Sequence, residues 1–453
     1  LRRRTAIRLA LRNLTRAARL YLLHAALLTF GLALSALYYN LLLERLGYDL
    51  LQVAVPVVGQ MRLIGLLNSL AVLVAGLSSL PLWWLVSVIG PRAGLVAAAA
   101  LQVGSLGIVA IWPEPLPLLV GSALSGPGAV LFQVSAAPFM MRHSGAGERD
   151  ALFSLSAGIN VGLSGLGSLV AGFIPGLGAA LLGLSAQSAD AYRIAFAAAA
   201  TCVALAVVPL LLVARERPAA ATARASKGGP HGITNRAIRV LAPGAEDLPA
   251  AAGRLLAALR YTVSPLLISC GAALLIPFLN IYFRQRFAAR DEELGVIFAA
   301  ISIATGAATL LTPLLSARLG KMGSVVLTQA LAIPCLLLLG AAPVLWAAVA
   351  VAVVRGTLMN MASPLYDAHA MEHTPEPSRP MVIGLINGAF SLGYIVGPNI
   401  SAEVRASYGF GPLFIATAVC YTCAALANYL LFIRPARQPA RSLRRGGAED
   451  AEG

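Results

Sequence analysis

The sequence predicts an all-α polytopic membrane protein: twelve transmembrane helices in two pseudo-symmetric six-helix bundles. Three observations carry this expectation. Only 12% of the 453 residues are charged and the mean hydropathy is +0.79, whereas a soluble domain carries about 25% charge. Apolar runs of about 20 residues, enough to cross a bilayer core of about 30 Å as a helix, recur along nearly the whole chain. The most polar hairpin, Val353 to Pro398, has a softer copy at Ser125 to Pro175.

Runs of this length satisfy their own backbone hydrogen bonds in lipid only as helices. Spans are expected at about 20–42, 62–86, 93–112, 116–141, 151–175 and 190–213, then at about 262–286, 294–316, 323–341, 343–370, 380–402 and 411–433. The first run follows a cluster of arginines from Arg2 to Arg19 and lacks a small-residue cleavage site after it. It reads as a span with a basic flank, not as a removable signal peptide. Arg215 to Arg260 is rich in Ala, Gly, Pro and charge and reads as a partly disordered connector. The expected domains are a basic segment 1–19, a first bundle 20–213, a basic linker 214–261, a second bundle 262–433 and a tail 434–453.

An even number of spans puts both termini on one side. If that side is inside, about 26 of the 34 Lys and Arg fall in inner segments and about seven in outer ones, with Arg355 inside a span. The positive-inside rule then accounts for the net charge of +15 and predicts cytoplasmic termini in a bacterial-type plasma membrane. A basic chain of this origin argues against nucleic acid as a partner, since the linker has no apolar period or aromatic platform. The cysteines Cys202, Cys270, Cys335, Cys420 and Cys423 all lie in apolar runs and read as packing residues, Cys420-x-x-Cys423 included.

The halves look related. Asn40 and Asn280 each stand late in the first span of their half; Gly90-x-Arg92 and Arg318-x-Gly320-Lys321 occupy matching loops. Gly128 and Pro138 match Gly356 and Pro364 in spans four and ten. On these residues, from about Leu20 to Ile433, the chain resembles the major facilitator superfamily. The resemblance implies two six-helix bundles, cytoplasmic termini and a central cavity built largely from spans one, four, seven and ten. The family's loop signature is worn: its acidic position falls on Ser87 in one half and Ala317 in the other. The antiporter signature of span five is also partial, with Gly158, Gly167 and Gly172, and is better kept in span eleven by Gly384, Gly393 and Gly397-Pro398.

Arg355, midway along span ten, is the sharpest single residue. A central arginine costs about 2.5–3.5 kcal/mol on insertion scales, so it should face a protein interior or a wet cavity. It reads either as an anion contact or coupling cation in the central cavity, or as a structural cation satisfied by carbonyls or paired with a residue of another span. With it, the matched neutral residues Tyr39, Asn40, Gln133, Asn280 and Asn360 are the expected substrate contacts. Each also reads, singly, as an interhelical hydrogen bond worth about 0.6 kcal/mol. Asp367 is expected in gating or coupling with Arg142, Arg149 and Arg318. The group Asp367, His369, Glu372 and His373 reads as a solvated cap with gating salt bridges to Arg142 or Arg149 more than as a metal site. Trp83, Trp84, Trp112 and Trp346 suit the membrane interface.

The functional expectation is a secondary transporter moving a small organic solute by alternating access, with an exporter or antiporter hinted at by the resemblance. A coupling proton or ion is compatible with it, and a monomer is expected. No P-loop is present, which disfavours nucleotide-powered pumping, and no cofactor, metal or enzymatic role is indicated. The second reading is a transport-inactive relative acting as a membrane sensor or assembly partner.

Overall fold

The computed structural model describes residues 14–56, 59–145, 148–185, 187–213, 258–309, 311–375 and 378–434. Most of the expected N-terminal segment, the linker over 214–257 and the tail beyond 434 lie outside them. Among the described residues, twelve helices are long and apolar enough to cross a membrane. In the first half they are Arg16–Arg45, Leu63–Ile89, Pro91–Ile111, Pro115–Arg142, Ala151–Leu182 and Ala189–Leu211. In the second they are Val263–Phe287, Asp291–Thr309, Lys321–Ala341, Leu345–Glu372, Met381–Tyr408 and Gly411–Ile433. These are spans one to twelve.

Helix starts follow local chemistry. Thr15 caps span one, its hydroxyl accepting from Ala18 N, and Ser188 caps span six in the same way. Gly90 and Gly320, with φ of 88° and 70°, turn the chain tightly before spans three and nine, where a side chain would be strained. Arginines tie spans three and six together. Arg92, at the start of span three, donates to the carbonyls of Leu210 and Leu211 at the end of span six. Arg193, at the start of span six, donates to Ala110 and Ile111 at the end of span three. Each cation thus satisfies last-turn carbonyls that have no helical partner.

The two halves use the same contacts. Spans one–five, one–six, two–four, three–four and three–six pack in the first half, and seven–eleven, seven–twelve, eight–ten, nine–ten and nine–twelve in the second. The halves meet along spans two–eleven and five–eight. Both seams depend on glycine. A Cβ on Gly65 would stand 3.0 Å from Pro398 O, and one on Gly295 would stand 2.9 Å from Ser168 O. Close backbone approach of this kind is what small residues permit between membrane helices.

Some expectations need correction. The repeat of spans four and ten is real, since both are 28 residues long and end in a His cap, His143 and His373. Counted from the helix starts, however, Gly356 matches Gly126, not Gly128, and Pro138 and Pro364 are out of register. Gly126 abuts Ala75 of span two, and Gly356 abuts Ile301 of span eight. Span eight begins at Asp291, three residues ahead of its approximate expected start, and Tyr261, the last residue of the expected linker, is buried and stacks on Phe432. A short hairpin, β1 (Gln52–Val55) and β2 (Gly59–Arg62), joins spans one and two, with Gln52 opposite Arg62.

Candidate functional site

A cavity of about 530 Å³ opens in the second half, and every residue lining it belongs to spans seven to twelve. Span ten supplies most of its polar wall: Arg355, Asn360, Ser363, Tyr366 and Asp367. Asn387 and Tyr394 of span eleven and Tyr421 of span twelve face it across the bundle. Ile268, Ile276, Phe298, Ile301 and Phe390 make the apolar remainder.

Arg355 is only 6% exposed. Its Nη2 donates to the Tyr421 hydroxyl at 2.6 Å, and its guanidinium carbon lies 5.6 Å from that ring's centroid. Its Nε is buried without a hydrogen-bond partner. Asn360 returns its amide to Gly356 O at 2.8 Å, and the Tyr366 hydroxyl donates to Tyr261 O at 2.9 Å. One wall is braced by Asn428, whose amide reaches Ser264 Oγ at 2.8 Å and Gln329 Oε1 at 3.0 Å, joining spans twelve, seven and nine.

One end of the protein is where the described chain enters at Leu14 and leaves at Arg434. At the opposite, far end the two halves are bonded together. Span one breaks after Ala36 and span seven passes through a 3-10 turn at Ile276–Phe278. Asn40 donates to Pro277 O, and Asn280 donates to Leu37 O at 2.7 Å. Each asparagine follows by three residues the carbonyl that the other binds (37 and 40, 277 and 280). Ile281 N donates to Asn280 Oδ1, so the carbonyl it would reach in a regular helix, Pro277 O, is open to Asn40. Asn399 bonds Ser69 at 2.6 Å, and Arg62 pairs with Glu403 at 2.7 Å. Arg405 lies 3.8 Å from Asp49, and Gln285 bonds Glu44. Buried Asp291 pairs with Arg284 and accepts from Tyr192 at 3.4 Å. These hydrogen bonds and ion pairs between the halves all lie at this end.

Comparison with known proteins agrees with this architecture. Residues 261–451 match the family described as Major Facilitator Superfamily. A putative sugar efflux transporter of Deinococcus radiodurans is 28% identical over 191 residues, 39% of this chain. The match spans 46% of that relative's length, about half of it. The crystal structure of a D-xylose-proton symporter superposes with a TM-score of 0.68 at 16% identity, covering 91% of this chain and 97% of that one. That of the nucleoside transporter NupG gives 0.65 at 15%, covering 91% and 100%. The second half of the chain thus matches the Major Facilitator Superfamily model, and the whole described chain shares the fold of the two solved transporters.

The sequence-derived site residues scatter. Arg355, Asn360 and Asp367 line the cavity. Asn40 and Asn280 do not: both are buried in the far-end clasp, because the helix breaks beside them release carbonyls that need donors. Tyr39 is turned inside the first half, its hydroxyl 2.8 Å from Ser122 Oγ and its ring edge-on to Phe196. Gln133 is exposed and lies outside the cavity wall. Arg142 and Arg318 are exposed and Arg149 half-buried near the termini end. The acidic group after span ten divides. Asp367 faces the cavity, while Glu372 pairs with Lys321 of its own half, where a bridge to Arg142 or Arg149 was expected. Sequence reasoning missed Tyr394, Tyr421 and Asn428, whose only signal was a polar atom inside an apolar helix.

Proposed function

We propose that this chain is a secondary transporter carrying a small polar organic solute, of sugar size, across the membrane by alternating access. One observation carries the reading: the bonds between the halves gather at the far end, while the cavity extends to Asp367 towards the other end. Rocking of one bundle against the other, the usual motion of such repeats, would exchange these bonds for contacts at the termini end. The names of the similar proteins, a sugar efflux transporter and a xylose symporter, favour a solute of that size.

The Lys and Arg asymmetry supports cytoplasmic termini in a plasma membrane, so this conformer faces inward. Asp367 is the cavity's carboxylate and is our candidate for the coupling proton. Tyr421 and Tyr394 join Arg355 and Asn360 as solute contacts. A cavity of about 530 Å³ holding a buried cation favours transport over a transport-inactive sensor, and we assign no enzymatic step to it. The protein works as a monomer in this scheme.

The test is counterflow in proteoliposomes: purified protein, trapped unlabelled solute, and a panel of radiolabelled sugars and sugar acids outside. Saturable exchange of at least one solute is expected. A panel that neither exchanges nor binds to the folded protein would end the transport reading.

A further inference from the structure

We infer that the solute carries a carboxylate, held by Arg355 in a subsite built by the second half alone; this rests on the transport reading above. The starting point is an imbalance of charge. A guanidinium keeps its charge in proteins and is left unpaired in a buried place only at high cost. Arg355 is more than nine-tenths buried, yet among the described residues no carboxylate pairs with it. Its hydrogen-bond partner is a neutral phenol, and its Nε has none. Asp367 shares the cavity but lies twelve residues further along span ten, about 18 Å on an ideal helix. The compensating charge must come from elsewhere, and the cavity is where it can enter.

The surroundings select the kind of anion. The Tyr421 hydroxyl accepts from Arg355 Nη2, so its own proton remains available to donate. A carboxylate at Nη1, for which no bond to another described residue is seen, can therefore take a charge-assisted bond from the guanidinium and a second from the phenol. Phe390 and Tyr394 offer ring faces for the body of a small cyclic solute, and the amide of Asn387 can meet a hydroxyl. A neutral sugar would leave the guanidinium uncompensated. A polyphosphate would bring more charge than one guanidinium balances.

The lining residues all lie on spans seven to twelve, so the second half holds the solute and the first half acts as its cover. The solute would stay with the second half while the seams at spans two–eleven and five–eight re-form around it.

The experiment pairs each acid with its neutral parent: D-glucuronate with D-glucose, and D-galacturonate with D-galactose. Equilibrium binding and counterflow are measured on full-length protein in lipid. The expected result is that at least one acid is bound on the order of 10- to 100-fold more tightly than its parent, the range of a charged hydrogen bond. Arg355→Ala should remove that preference and Tyr421→Phe should reduce it, while the folded fraction, read by size exclusion and melting, stays the same. Arg355→Lys should retain part of it. Exchange of the neutral sugars as fast as the acids overturns the inference and leaves transport standing. Absence of binding and exchange for both members of every pair overturns both.

Discussion

Replacing Asn40 and Asn280 together with alanine should release the far end. Each side chain spans the gap between the halves, reaching Pro277 O and Leu37 O respectively. Their Oδ1 atoms also accept bonds inside their own halves, from Asn68 and from Ile281 N. Those internal bonds can persist in either conformer, so they cancel in the conformational equilibrium; only the cross-half bonds bias it. A net bond is worth about 1 kcal/mol in soluble proteins and about 0.6 kcal/mol between membrane helices. The pair therefore contributes about 1.2–2 kcal/mol, on the order of 8- to 30-fold in the closed-to-open ratio at the far end. Spin labels at Leu50 and Arg290, both exposed at that end, would report the ratio by pulsed distance measurement. The native cysteines are first replaced. The double variant should enlarge the long-distance population by that factor, with each single variant near its square root. An unchanged distance distribution in a folded double variant refutes the clasp.

The seams make their own prediction. Gly295→Val would drive a Cβ to 2.8 Å from Gly172 Cα, and overpacking of this kind costs about 1–3 kcal/mol, so the closed far end should weaken and the melting temperature fall. Gly384→Ala, with open space around the glycine, should leave both measurements within error. Arg193→Ala strips the last carbonyls of span three of their donor and should lower stability by about 1 kcal/mol, read as a lower midpoint in thermal melts in lipid. Asp367→Asn should abolish accumulation driven by a pH gradient while counterflow continues; accumulation at the wild-type level would remove Asp367 from coupling.

The fold was legible because span length and charge asymmetry are properties of composition, fixed before any packing. The paired asparagines were legible as a repeat but not as a clasp. Helical periodicity gives the face on which Asn40 sits, yet the break at Leu37 resets its direction, and only the assembled bundles show what stands opposite. Tyr394 and Tyr421 were hidden for a different reason: a tyrosine in an apolar helix resembles packing until it is seen on a cavity wall, as both are here, Tyr421 with its hydroxyl on Arg355. Gly128 and Gly126 differ by two residues, and a sequence comparison without helix boundaries chose the wrong one. The hairpin at Gln52–Arg62 is too short for its alternation to register beside the adjoining span. Glu372 was assigned a partner across the halves because charge alone does not reveal that Lys321 is nearer.

The central claim is that one cavity is reached from opposite sides in turn. Asn360→Cys, in a background without other cysteines, puts a thiol on the cavity wall. In sealed, oriented proteoliposomes a membrane-impermeant thiol reagent is added to one side and then to the other. The account predicts rapid labelling from the side bearing the termini and slow labelling from the far side, with far-side labelling rising when Asn40 and Asn280 are also replaced. Labelling from one side alone in both backgrounds would contradict it.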